Sequence, residues 1–239
     1  MKLLALETSS EWCSAALWRD GEVFAREQLA GQRHSELILP MIDALLQEAE
    51  EQLTALDAVA FGAGPGSFTG LRIACGVAQG LAFGAGLPVV GVGTLLAVAQ
   101  ASGGERVVSC LDARMGELYC AAFERGGGQW RTVHAPRLCT PVAAPEVDGD
   151  GWVGAGSGFA AHGAALAERY AERLSAVQPA VHPDARHIAA LAVDMVRAGM
   201  ALPAEEARPV YLRDRVALTV EQRQALKTLK SGRTPVENP

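Results

Sequence analysis

Between Lys2 and Lys227 the 239-residue chain contains no lysine. That absence excludes a Walker-type phosphate loop anywhere in the body of the protein, because such a loop needs a lysine beside its last glycine to reach the phosphates. Histidine is scarce as well. His34, His134, His162, His182 and His187 form no HxxxH or HExxH pair, so the spacing calls for no metal site and no cofactor. The five cysteines, 13, 75, 110, 120 and 139, are odd in number and show no CxxC spacing, which argues against both a disulfide framework and a zinc site. Aromatic residues make up only 5% of the chain against 26 glycines, so the core must be built mostly from Ala, Val and Leu packed around small residues. The apolar run at the start is four residues long before Glu7, too short for the core of a secretory signal. A cytoplasmic protein without export is expected.

Charge is missing over a longer stretch. Ile73 to Gly104 carries none, and exceeds the ~20 residues that span a bilayer. Gly84-Ala85-Gly86-Leu87-Pro88 breaks it, so the stretch is expected to be a core helix, a turn and a strand rather than a membrane span. The net charge of −6 argues against a protein built chiefly to grip nucleic acid. Its distribution is uneven: residues 1 to 100 hold 11 acids and 5 bases, whereas Arg208 to Arg233 holds seven bases against Asp214 and Glu221. This basic tail is either a solvated end or a contact for an acidic partner or RNA.

The patterning is α/β. Strands are expected at 2–8, 13–18 and 22–29, with Asp20-Gly21 as a hairpin turn. A helix at 35–50, a strand at 56–62, a helix at 70–85 and a strand at 88–92 follow. After Ala101 to Gly104 the order begins again: a strand at 106–112 ending in an acid, one at 117–124, a triple-glycine turn and one at 129–135. Internal duplication follows, with mixed sheets flanked by helices and a second copy that is reduced. The expected divisions are 1–102, 103–216 and a tail, 217–239. In the second copy, 135–151 reads as irregular and 159–175 and 187–199 as helical, while Gly154 to Gly158 is a turn or a place that admits an adenine.

Three features could carry function. Gly62-Ala63-Gly64-Pro65-Gly66-Ser67-Phe68-Thr69-Gly70 lies between a strand and a helix, where backbone N–H groups favour an anion, yet it fits neither Walker A nor GxGxxG; a tight turn capped by Ser67 or Thr69 is the simpler reading. Glu7, followed by Thr8, and Asp112 end the first strands of the two copies, where a doubled fold would hold carboxylates for a metal nucleotide. Arg114 puts a bulky cation beside Asp112. In the first long helix Leu37, Ile38, Met41, Ile42, Leu45 and Leu46 spread over an arc of roughly 180°, wider than the ~100° stripe that one sheet contact needs. In the second, Arg72 and Gln79 share one edge and Gly76, Gly80 and Gly84 form a ridge of small residues. Both helices are expected to be covered on more than one side, by the second half or by a partner protein.

Leu4 to Ser9, His34-Ser35 with Leu39-Pro40, Gly62 to Arg72, Gln79 to Ala82 and Asp112 to Glu117, taken together, resemble the TsaB (YeaZ) family, a bacterial branch of the actin-like ATPase and sugar-kinase superfamily. The resemblance reaches from Lys2 to Arg213. It implies two ribonuclease-H-like subdomains and a non-catalytic subunit of the complex that moves threonylcarbamoyl from threonylcarbamoyl-AMP to the adenosine 3′ of the tRNA anticodon. The implied partners are a TsaD-like catalytic subunit, a TsaE-like ATPase, a second copy when the chain is alone, and tRNA through the complex; no membrane is involved. TsaD-like chains carry a metal-binding histidine pair where this chain reads Gly93-Thr94-Leu95-Leu96-Ala97. The expected partner surface comprises Leu37, Ile38, Met41, Ile42, Leu45, Leu71, Arg72, Gly76, Gln79 and Gly80. Glu7, Thr8 and Asp112 would be a degenerate nucleotide site. An active small-molecule kinase or ATPase of the superfamily is the alternative.

Overall fold

The computed structural model describes residues 1–213. The expected tail, 217–239, lies outside them, as does most of the basic stretch from Arg208 to Arg233. Ten strands form two sheets of five. In the first, β1 (Lys2–Glu7), β2 (Trp12–Arg19) and β3 (Glu22–Leu29) make an antiparallel meander, and β4 (Ala58–Gly64) and β5 (Val89–Gly93) add in parallel on the far side of β1, giving the order β3-β2-β1-β4-β5. Asp20 and Gly21 both adopt positive φ in the β2–β3 turn, the geometry that an Asp-Gly hairpin requires.

The second sheet repeats this plan. β6 (Arg106–Asp112), β7 (Leu118–Gly126) and β8 (Gln129–Cys139) form the meander, and β9 (Trp152–Ala155) and β10 (Leu174–Gln178) add in parallel, giving β8-β7-β6-β9-β10. The reduction falls on the helices. The first half carries α1 (His34–Glu48) and the 18-residue α2 (Phe68–Ala85). The second has a single turn at Pro141–Ala143 in place of α1, and two short helices, α4 (Ser157–Ala161) and α5 (Gly163–Tyr170), in place of α2.

Two further helices lie between the sheets. α3 (Thr94–Ser102) follows β5 and packs its Leu95, Val98 and Ala99 on the second sheet; α6 (Ala185–Arg197) follows β10 and packs its Ile188, Ala189 and Ala192 on the first. Each half therefore closes one face with the other half's last helix. Strand alternation sorts the residues: Leu4 and Leu6 of β1 point to α1 and α2, Leu3 and Ala5 to α6. Every one of these side chains is removed from solvent.

Several expectations need correction. α3 runs into the linker expected at 101–104, β9 into the turn expected at 154–158, and the helix expected at 159–175 is broken into α4, α5 and a turn before β10 begins at Leu174. The interruption after Tyr170 is sharp: Ala171 has φ 43° and the chain turns into β10. The wide apolar arc of α1 is covered from within, because α1 sits in the angle between β2 and α2 and meets two surfaces at once. Ile38, Met41, Ile42 and Leu45 are buried there among Leu17, Cys75 and Ala78, with Leu37 and Leu46 half-buried beside them.

Candidate functional site

Glu11, after β1, and Arg114, after β6, meet at 3.5 Å, so the carboxyl ends of the two sheets border one crevice, and the carboxyl ends of parallel strands are where α/β sheets bind ligands. In the first half this end is sealed. The glycine run between β4 and α2 presses on the residues that follow β1: a Cβ at Gly62 would stand 1.9 Å from Glu7 Oε2, one at Gly66 2.6 Å from Ser9 Cβ, and one at Gly70 1.9 Å from the Thr8 carbonyl oxygen. The Ser67 N–H donates to the Ser9 carbonyl (2.8 Å), and the Thr8 hydroxyl to the Gly70 carbonyl (2.7 Å). Ser67 caps α2 as its sequence position suggests, accepting from the Gly70 N–H. The glycines thus admit neighbouring chain rather than a phosphate.

Glu7 is fully buried in this packing. Its Oε1 accepts the Ser9 N–H, its Oε2 has no hydrogen-bond partner, and burial pushes its pKa up to about 7. Thr8 is buried too. Asp112, at the matching end of β6, is half-buried, its side chain 19% exposed. Its Oδ1 accepts the Arg114 N–H (2.9 Å), the Arg114 guanidinium stands 3.4 Å from Oδ2, and His162 Nε2 is 3.7 Å from Oδ1. Arg114 also reaches Glu11 across the crevice at 3.5 Å. The bulky cation expected beside Asp112 is therefore in place. Arg114, Met115 and Gly116 follow one another at positive φ, so the β6–β7 turn holds two non-glycine residues in the left-handed region. The structure does not bring Glu7, Thr8 and Asp112 together as one ligand set: the first two are walled in by glycine backbone and the third is held by Arg114.

The expected partner surface divides in two. Ile38, Met41, Ile42, Leu45 and Leu71 belong to the chain's own core. Gln79 is engaged internally, donating to the Ala204 carbonyl where residues 204–207 fold back over α2. Arg72, Gly76 and Gly80 are exposed along one face of α2, with nothing within 4 Å of a Cβ at Gly76, Gly80 or Gly84. Among the described residues the small-residue ridge therefore has nothing packed on it. Phe83, which sequence reasoning missed, stands on the same face at 74% exposure, and Phe68 begins it. An isolated phenylalanine in an apolar helix gives no periodic signal that tells outside from inside. Leu39 on α1, also missed, is 50% exposed. Among the described residues no cluster of three metal-ligating side chains occurs, and no helix is long and apolar enough to cross a membrane.

Two mixed five-stranded sheets of matching order, each with helices on its faces, define an α/β protein of the actin-like ATPase class. The family model for TsaD, tRNA N6-adenosine threonylcarbamoyltransferase, matches residues 26–219. The chain is 39% identical to the tRNA threonylcarbamoyladenosine biosynthesis protein TsaB of Escherichia coli, covering 91% of this chain and 96% of that one, and 38% identical to the TsaB of Haemophilus influenzae, covering 90% and 95%. Among solved structures, YeaZ from Pseudomonas aeruginosa superposes with a TM-score of 0.80 at 40% identity, over 88% of this chain and 99% of that one. The chain belongs to the TsaB (YeaZ) family.

Proposed function

We propose that this protein is a non-catalytic subunit in the biosynthesis of threonylcarbamoyladenosine in tRNA. It docks a TsaD-like catalytic subunit through the exposed face of α2 and works with a TsaE-like ATPase, while tRNA meets the complex rather than this chain alone. The observation that carries the reading is the contrast between two surfaces. The crevice where a nucleotide would lie is filled at Glu7 by glycine backbone and held at Asp112 by Arg114. The outer face of α2, by contrast, offers Phe83 and the glycine ridge to solvent with no cover over the ridge among the described residues, and Phe68 beside them at 36% exposure.

A face of this kind favours another helix pair of similar build, because glycines at 76, 80 and 84 let a second backbone approach closely and the phenylalanines supply apolar area. A TsaD-like subunit shares the architecture and so carries such a pair. A second copy of this chain does too, which makes a homodimer when the partner is absent. The docking residues narrow to Phe68, Arg72, Gly76, Gly80 and Phe83; Ile38, Met41, Ile42, Leu45 and Leu71 hold the helices in place from beneath.

The test is Phe83→Asp. The variant keeps the circular dichroism of the parent, runs as a monomer on size exclusion, and no longer co-elutes with a TsaD-like subunit or supports tRNA modification in a reconstituted system. A folded variant that still co-elutes and supports modification would put the interface elsewhere. Turnover of ATP by the isolated protein at about 1 per second or faster, lost on Asp112→Ala, would establish the kinase or ATPase alternative instead.

A further inference from the structure

The last described residues cross from one half of the molecule to the other. Ala207 packs in the core beneath α2 with Cys75 and Ala78. The Val210 N–H donates to the Ala63 carbonyl at the end of β4 (2.7 Å), and the Val210 carbonyl lies so close to Gly64 that a Cβ there would stand 2.6 Å from it. Leu212 then packs on the second half with Leu111, Ala113 and Tyr119. Arg213 anchors the crossing: its guanidinium donates to the Ala113 carbonyl (2.9 Å) and pairs with Glu117 (2.9 Å) on the far side of the β6–β7 turn. Four consecutive residues therefore tie the carboxyl end of β4 to that of β6, across the crevice.

Between the two anchors stands Tyr211, and it belongs to the outer surface. Its ring lies 5.3 Å from that of Phe68, its hydroxyl accepts the Arg72 Nε–H at 3.1 Å, and the Arg72 guanidinium lies over the Phe68 ring at 3.9 Å. The first turn of α2 is thus held in one arrangement by a side chain whose backbone is fixed on both halves. A long arginine on an exposed helix face samples many rotamers, and ordering it only on binding costs affinity.

We infer that residues 207–213 are a clasp that holds the crevice shut and, through Tyr211, pre-orders Phe68 and Arg72 for docking. Tyr211 and Arg213 are positioning residues, and the second half of the chain contributes to partner affinity through the Arg213–Glu117 anchor. This rests on the docking reading given above for its affinity arm and stands apart from it in its exchange arm.

Three full-length variants separate the two. Phe83→Asp lies on the docking face and makes no contact with the clasp, so it tests docking alone. Arg213→Ala and Glu117→Gln cut the anchor from either side without touching α2. The expected result is that both anchor variants weaken binding to a TsaD-like subunit at least fivefold. Both also raise amide hydrogen exchange tenfold or more at residues 63–72 and 112–118, while α6 and β2 stay within twofold of the parent. If Phe83→Asp abolishes docking but neither anchor variant changes affinity or exchange, the clasp is refuted and the docking face survives. Uniformly faster exchange over the whole chain also refutes it, since the segment then adds only to global stability. If Phe83→Asp leaves docking intact, the docking reading fails, and the exchange pattern alone decides whether the crossing is a clasp.

Discussion

Glu7 and Asp112 occupy the same place in the two halves, at the end of the strand that opens each sheet, yet they live in opposite surroundings. Gly62 on the neighbouring strand presses against the Glu7 carboxylate itself. In the second half, the glycines that follow β9 press one register lower: a Cβ at Gly156 would stand 2.4 Å from the Cys110 carbonyl, and one at Gly158 2.8 Å from Cys110 Cβ. Asp112, two residues further on, is left facing the crevice. The position of one glycine contact relative to a strand end decides whether a duplicated carboxylate is part of the core or part of a surface.

The comparison breaks most visibly at the glycines. Gly70→Ala drives a methyl group to 1.9 Å from the Thr8 carbonyl, a backbone atom that cannot step aside, so the variant should lose about 3 kcal/mol or more and unfold at lower urea concentration. Gly116→Ala, in the open β6–β7 turn of the second half, meets nothing within 4 Å and costs only the strain of φ 78°, on the order of 1 kcal/mol. Equal losses for the two would refute the contrast.

A second break uses pH. Glu7 has a folded pKa of about 7 against an ordinary value of 4.5, so between these values the folded state holds a proton that the unfolded state has released. Stability therefore falls as pH rises from 4.5 through 7 and is flat above; the charged form, buried with Oε2 unpartnered, is the costly one. A shift of this size corresponds to roughly 3 kcal/mol. Glu7→Gln should remove that slope, gaining on the parent by this amount between pH 5 and pH 8 in urea titrations. Parallel pH profiles for parent and variant would show that Glu7 is already paired.

How far these contrasts were legible in the sequence depended on what each segment packs against. α1 and α2 were readable because each has one face toward the core and one away, the meanders because their strands are apolar runs bounded by turn residues, and the Asp-Gly turn names its own geometry. α3 was missed because it is buried between both sheets: Leu95 and Val98 serve one and Ala97 the other, so no polar face marks its period. The start of β10 was taken into the helix expected at 159–175, since Leu166, Tyr170 and Leu174 are spaced by fours, although only the first two are on α5. Trp152 to Ala155 is a strand of four residues between glycines, too short to alternate visibly. The candidate site was half legible. The motif Gly62 to Gly70 and the cation next to Asp112 stood out, but that Gly62, Gly66 and Gly70 abut Glu7, Ser9 and Thr8 is a long-range contact with no local signature. The apolar arc of α1 misled because its width reports the number of surfaces met, not their ownership.

The β6–β7 turn sharpens the comparison at smaller scale. Met115 is exposed and sits at φ 58° in a turn closed around it, where the Arg114 N–H donates to Asp112 Oδ1 and the Glu117 N–H to the Arg114 carbonyl. Met115→Gly should raise stability by about 0.5 to 1 kcal/mol, since glycine adopts that conformation without penalty while losing more backbone freedom on folding. A loss instead of a gain would mean that the Met115 side chain, beside Arg213, holds the turn.

The smallest effect belongs to Arg114. Its side chain is 76% exposed, and it pairs with Asp112 at 3.4 Å and with Glu11, itself largely exposed, at 3.5 Å. Exposed pairs of this kind contribute roughly 0 to 1 kcal/mol and are screened by salt, so Arg114→Gln should cost less than 1 kcal/mol at low ionic strength and almost nothing at 1 M salt. The value of the variant lies in the contrast with Glu7. If Arg114 merely neutralises Asp112 on an open surface, the change leaves the folded state and the exposed α2 face as they were, and co-elution with a TsaD-like subunit persists. If Arg114→Gln instead costs as much as Gly70→Ala and does so independently of salt, the bridge to Glu11 is a structural tie between the halves, and Asp112 is as much a packing residue as Glu7.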